Sequence, residues 1–193
     1  MKHMATIVLT AAIMLTGTLR AQEHTDTLTR RQQRIVEIAA CTGRGDLQTF
    51  IAVLGERKAQ GISDATGRDA SPVTDSRSRY DRGRDILAEI SGIPADAPKA
   101  AYAEFAPAIE RFLKEHLFAD LFERDVLTYA ERELATVSVI AALGESVEPM
   151  LRGHSAICRN LGYTQGQLDR AIAMARAFNA GSTDSNVKNV KHK

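Results

Sequence analysis

The stretch Leu127 to Gly162, LTYAERELATVSVIAALGESVEPMLRGHSAICRNLG, constrains this chain more than any other. Thr128 followed by Glu131 has the spacing of a capping box, in which hydroxyl and carboxylate each satisfy an orphan amide at a helix start. Leu134, Val137 and Ala141 then fall at i, i+3 and i+7, a single apolar stripe. Gly144 predicts the stop. A second helix is expected to begin near Ser146 to Glu148 and to end at Gly162. Along it Glu148, Leu151 and His154 step by three and His154 and Cys158 by four, so these side chains share a broad face. With Glu133 on the preceding helix, this is the tightest group of reactive side chains in the sequence.

The rest of the chain sets the context for that pair. At 193 residues it is long enough for one domain with a sizeable core. Lys2 and His3 precede an apolar run, Ala5 to Leu15, and Leu19-Arg20-Ala21 offers a small residue before Gln22. This reads as a secretory signal peptide of about 21 residues, too short for a stable membrane span, with an uncleaved anchor as the alternative. Export to a periplasmic or secreted location is the expectation. Taking Lys2 and Arg20 from the 25 basic residues leaves 23 against 24 acidic ones. So even a balance argues against an electrostatic nucleic-acid surface. Cys41 and Cys158 both lie in the mature part, where an oxidising compartment permits pairing. Each sits in an Ala- and Ile-containing helical pattern, which favours two buried free thiols.

In chain order, Gln22 to Thr27 reads as a loose arm, and Thr29 with Gln32 as a capping box opening a helix with Ile35, Ile38 and Ala39 on one side. Asp46 is placed to cap the next helix, which Gly61 closes. Gly61 to Asp81 is a connecting loop, and its Arg77, Arg79, Arg82 and Arg84 are interleaved with aspartates rather than gathered as an anion patch. A helix follows to Ser91. Tyr102 to Phe122 predicts a long helix or a pair broken at Pro107, with Phe112, Leu113, His116, Leu117 and Leu121 on an apolar face. Thr164 with Gln167 starts a last helix carrying Leu168, Ile172 and Ala175. From Gly181 the chain lacks apolar periodicity and is expected to be a disordered tail.

The runs RELATVSVIAALG, EPMLRGH and NLG resemble the carboxymuconolactone decarboxylase family, relatives of alkylhydroperoxidase D, and FLKEHLFADLFERDVLTY is similar to the lead-in to that core. The resemblance covers roughly Phe105 to Met174. It implies an all-α antiparallel helical bundle, cofactor-free and without a metal, assembled as trimers or hexamers with sites near subunit contacts. Residues 22–61, offset by 99 from the later pair, read as a reduced N-terminal copy in which Arg34 faces Glu133 and no histidine matches His154. The domain reading is therefore a signal peptide to 21, the reduced copy to 61, a linker and helix to 99, the core at 100–180 and the tail at 181–193.

What the family does with this core sets the chemical expectations. Its peroxidase relatives place a Cys-x-x-Cys pair before the histidine, and here Glu148 and Leu151 stand where the sulfurs would be. Glu133 and His154 match the relatives' Glu and His. Dithiol peroxide reduction needs two sulfurs, so Cys158 is left as a redox candidate that lacks a near partner. A lyase acting on a small carboxylated lactone or oxo-acid uses what remains, with His154, Glu133 and Glu148 as catalytic groups. Arg152, Arg132 and His116 are the candidates for holding the substrate. The alternatives are an antioxidant peroxidase through Cys158, and a secreted, non-catalytic oligomeric binding protein.

Overall fold

A computed structural model describes residues 26–59 and 69–189, all of whose regular elements are helical. The expected signal peptide and the stretch 60–68 of the connecting loop lie outside the described residues. In order, the helices are α1 Arg30–Arg44, α2 Leu47–Ala59, α3 Arg79–Ser91, α4 Ala101–Phe105 and α5 Pro107–Phe112. The last of these continues as a π-helical segment Leu113–Phe122. Then come α6 Tyr129–Ala142, a 3-10 turn Glu145–Val147, α7 Glu148–Asn160 and α8 Gln165–Asn189.

Three capping boxes organise the bundle. The N–H of Gln32 donates to Thr29 Oγ1 at 3.2 Å, that of Glu131 to Thr128 Oγ1 at 3.1 Å and that of Gln167 to Thr164 Oγ1 at 3.1 Å. In each case the Gln or Glu side chain accepts the N–H of its threonine in return. All three helix starts lie at one pole. There Arg31 pairs with Glu131, Thr164 donates to Asp26 Oδ1 at 2.7 Å, and Gln167 Nε2 donates to the Thr27 carbonyl at 3.0 Å. At the other pole Gly43 touches Val139, and Arg44 donates to the Phe178 carbonyl at 2.7 Å. Helices α1, α6 and α8 therefore run in parallel, with α7 returning against them. Parallel macrodipoles repel, and the charges are arranged to offset that: Asp26 and Glu131 at the positive ends, Arg44 at the negative end of α1.

The core forms where these helices meet. Val36 and Ala40 of α1, Leu134, Val137 and Ala141 of α6, Leu151 and Cys158 of α7 and Leu168, Ala171 and Ala175 of α8 are all buried in one cluster. Each fully buried Leu or Val contributes roughly 1.5–3 kcal/mol over its exposed state. The stripe expected on α6 is the stripe found. On α1 the sequence expectation is corrected: Val36 and Ala40, one turn apart, face α6, whereas Ile38 lies about 200° around the helix from Val36 and is exposed. Helix α2 is capped by Asp46 as expected, the Thr49 N–H donating to its Oδ1 at 3.0 Å. Its Leu47, Ile51 and Leu54 are nevertheless exposed.

A second cluster holds α3 in place. Ile86 and Ile90 pack on Phe122, with Tyr129, Ile157 and Leu161 against them. The approach is closest at Gly83, where a methyl group would overlap the carbonyl oxygen of Lys114. Arg82 locks the same joint, its Nε 3.0 Å from each Glu123 oxygen, with both side chains largely buried. The chain breaks at Ala106 before Pro107, as the proline requires. The expected apolar face after it is not formed. In the π-helical winding the Glu123 N–H reaches back to the Phe118 carbonyl at 3.1 Å, a five-residue step. Side chains four and five apart then align, so Phe112, His116 and Leu121 face outward together while Ala119 and Phe122 are buried.

At the C-terminus α8 continues past Gly181 to Asn189, and residues 190–193 of the expected tail lie outside the described residues. A single helical glycine costs only about 1 kcal/mol relative to alanine. No proline interrupts the backbone ladder before 190.

Candidate functional site

Glu133 occupies the second turn of α6 and His154 the middle of α7, antiparallel to it. The imidazole Nδ1 lies 2.9 Å from Glu133 Oε2. Burial of the two groups differs sharply: the Glu133 side chain is 3% exposed and that of His154 32%. A carboxylate taken out of water is tolerable only when paired, and the imidazole is the one hydrogen-bond partner it has among the described residues. The geometry follows from the local sequence. The capping box fixes where α6 begins, Leu134 and Val137 fix its rotation, and Glu133 is thereby carried to the α7 side. With Nδ1–H donated to the carboxylate, Nε2 is left as the atom that gives or takes a proton.

The other residues singled out from the sequence are dispersed. Glu148 begins α7 and pairs with Arg176 of α8 at 2.9 Å, so it faces away from the Glu133 side. The sequence-based expectation of one face for Glu148, Leu151 and His154 is thus split. Leu151 enters the core, Glu148 turns to α8 and His154 to α6. Arg152 is exposed, two residues before His154 and so about 200° around α7 from it. His116 is on the outer side of the π-helical segment, its Nδ1 2.9 Å from Asp120 and its ring 4.7 Å from that of Phe112. Asp120 is in turn 3.4 Å from Arg79. These four residues form a surface cluster apart from the α6–α7 pair.

Arg132 is more telling. It immediately precedes Glu133, and its Nη2 donates to the Arg124 carbonyl at 2.6 Å. Its Nε is sealed from solvent with no acceptor. Desolvation first, and the Arg124 charge second, lower its pKa from the ordinary arginine value.

The two cysteines are both free and buried. Cys158 reaches the α6–α7 contact from below, and its thiol is pushed up to about 12, by burial first and by the Glu133 charge second. The pKa of Cys41 is also raised, mainly by burial and next by Asp46 and Glu37. Among the described residues no group of three or more His, Cys, Asp or Glu side chains is arranged to hold a metal ion. No described helix is long and apolar enough to cross a membrane.

Two cavities are lined by described residues. One, of about 290 Å³, lies at the capped pole among Thr29, Thr128, Glu131, Tyr163 and Gln167. The other, of about 330 Å³, lies at the α1–α2 corner over Cys41, Leu47 and Phe50. His154 is in the wall of neither, and its side chain is about one third exposed. Partners that the sequence reading missed are Arg176 for Glu148 and Asp120 for His116. The second was within reach, because His116 and Asp120 stand at i, i+4.

Comparison with known proteins adds one match. The sequence model described as the carboxymuconolactone decarboxylase family matches residues 107–190. That span starts at the first residue of α5 and takes in α6, α7 and α8, while α1 to α4 lie before it. No curated protein and no solved structure matches the chain.

Proposed function

Because residues 107–190 match the model of the carboxymuconolactone decarboxylase family, we propose that the protein is a lyase acting on a small carboxylated lactone or oxo-acid, with His154 as general acid and base. The observation that carries this reading is the 2.9 Å contact between His154 Nδ1 and a buried Glu133. Loss of carbon dioxide breaks a carbon–carbon bond and leaves its electron pair on carbon, delocalised into the adjoining carbonyl as an enolate. The enolate then needs a proton. A protonated His154 delivers it from Nε2, and Glu133 stabilises the imidazolium and holds the ring. Glu148, engaged with Arg176, is left out of this scheme.

Thiol peroxidase chemistry is less well supported. The attacking species there is a thiolate, and Cys158 is buried beside the very carboxylate that opposes its ionisation. A second reading, a non-catalytic assembly of like copies, has an observation of its own. Tyr102, Phe105, Ile109 and Phe112 leave an apolar stripe exposed along α4 and α5, with Phe105 92% exposed.

The test is His154→Gln, assayed for carbon dioxide release across a panel of carboxylated lactones and oxo-acids. Turnover is expected to fall about 10²–10⁴-fold, with the melting temperature and the oligomer unchanged. A variant as active as the parent would sink the lyase reading. A change in assembly alone would favour the second one.

A further inference from the structure

Among the described residues Arg132 has no ion-paired carboxylate, its nearest acidic influence, Glu131, being paired with Arg31. Every other interaction of its guanidinium is accounted for: Nη2 donates to the Arg124 carbonyl, Nε is sealed without an acceptor, and Nη1 has no protein partner yet is not sealed. Among the described residues no Asp or Glu lies within ion-pair distance of it, although Arg31, Arg77 and Arg82 each have one. A half-buried cation that is fixed in place, without an ion pair of its own and open at one end, is costly to keep. The cost is removed when an anion docks on the open donors.

Its position gives that anion a purpose. On α6, Tyr129, Arg132, Glu133 and Thr136 stand at i, i+3, i+4 and i+7 and so share one face. Tyr129 packs against the cluster that includes Ile157 of α7, which is three residues and one turn from His154. The face of α6 that carries Arg132 therefore borders the face of α7 that carries His154. Arg152, on the far side of α7, and His116, in its own surface cluster with Asp120, do not.

We propose that Arg132 is the anion anchor of the His154 site, binding a carboxylate that is distinct from the reacting carbon and so restricting substrates to small organic acids. This inference rests on the lyase reading for its purpose, but its test is one of binding. The probes are the five-membered lactone 5-oxotetrahydrofuran-2-carboxylate and its uncharged methyl ester, titrated by calorimetry into the full chain. The parent is expected to bind the carboxylate at least tenfold more tightly than the ester. Arg132→Gln is expected to lose at least tenfold of that preference, Arg132→Lys to retain part of it, and Arg152→Gln to stay within twofold of the parent. A melting measurement separates anchoring from structural support. Without ligand, Arg132→Met should melt no lower than the parent, and the carboxylate should raise the melting temperature of the parent but not that of Arg132→Met.

Equal binding of acid and ester, an unchanged preference in Arg132→Gln, no binding of either probe by the parent, or a loss in Arg152→Gln would each overturn the anchor. His154→Gln should bind the acid as the parent does while losing turnover. Failure of the lyase reading therefore shows in the histidine variant, and failure of the anchor in the arginine variant.

Discussion

The thiol of Cys158 is the part of the site whose behaviour can be worked through numerically. Its folded pKa is about 12 against an ordinary value of 9.0. At pH 8 such a thiol is ionised in roughly one molecule in 10⁴, whereas a free cysteine with a pKa near 8.5 is about a quarter ionised, so thiolate chemistry should be slower on the order of a thousandfold. The same shift has a stability consequence with a definite sign. The unfolded chain gives up this proton first, so the native state is the better proton binder. The stabilisation is complete below about pH 9 and is lost progressively as pH rises toward 12. Three pKa units correspond to about 4 kcal/mol over that window, to order of magnitude. The perturbation is a Cys41→Ser background, in which Cys158 is the remaining thiol, compared with the same background carrying Cys158→Ala. Timed iodoacetamide exposure at pH 8, read by intact mass, should show almost no adduct on the folded chain and rapid adduct in urea. Urea midpoints between pH 8 and 10.5 should fall more steeply with Cys158 present than with alanine. Tyr163, whose pKa is also raised mainly by burial, remains in both proteins, and because the Cys158 charge adds to its shift it steepens the slope in the same direction when Cys158 is present. Native alkylation at the rate of glutathione, or equal slopes, would refute the reasoning and reopen thiol peroxidase chemistry.

Two further substitutions test how the site is held. Gly83→Ala drives a methyl group into the Lys114 carbonyl. It should destabilise by about 1–3 kcal/mol or more, as overpacking does, with urea unfolding as the measurement; a neutral result would mean that α3 sits farther from the π-helical segment. Thr128→Ala removes the hydroxyl that accepts the Glu131 N–H. It should cost about 1 kcal/mol while Thr128→Ser costs little, which thermal melts will distinguish.

Much of the scaffold was legible because caps and periodicity are local signals. Thr29, Thr128 and Thr164 each announce a helix with a Gln or Glu three residues on, and all three boxes form. Leu134, Val137 and Ala141 mark the buried side of α6 without help from any other element. Meeting of Glu133 and His154 was also within reach, since family resemblance and spacing put both on adjoining helices. Expectations were overturned where tertiary contact decides. The π-helical winding depends on how Gly83 and Arg82 of α3 seat Leu113–Phe122, and no period in the segment itself encodes it. The outward turn of Glu148 depends on Arg176, 28 residues away in sequence. Orphaned donors such as Arg132 Nε have no sequence signature at all, because an absent acceptor is a property of the packed state.

The span matched by the family model starts at α5, yet Leu28, just before α1, and Val36 and Ala40 of α1, all more than sixty residues upstream, close over Leu134 and Val137. A fragment trimmed to the recognised boundary would leave α6 with a greasy flank open to water and Glu131 without Arg31. The span matched by the family model and the span that packs into one core are different lengths of this chain. Anyone grafting the Glu133–His154 pair onto another scaffold must bring α1 along.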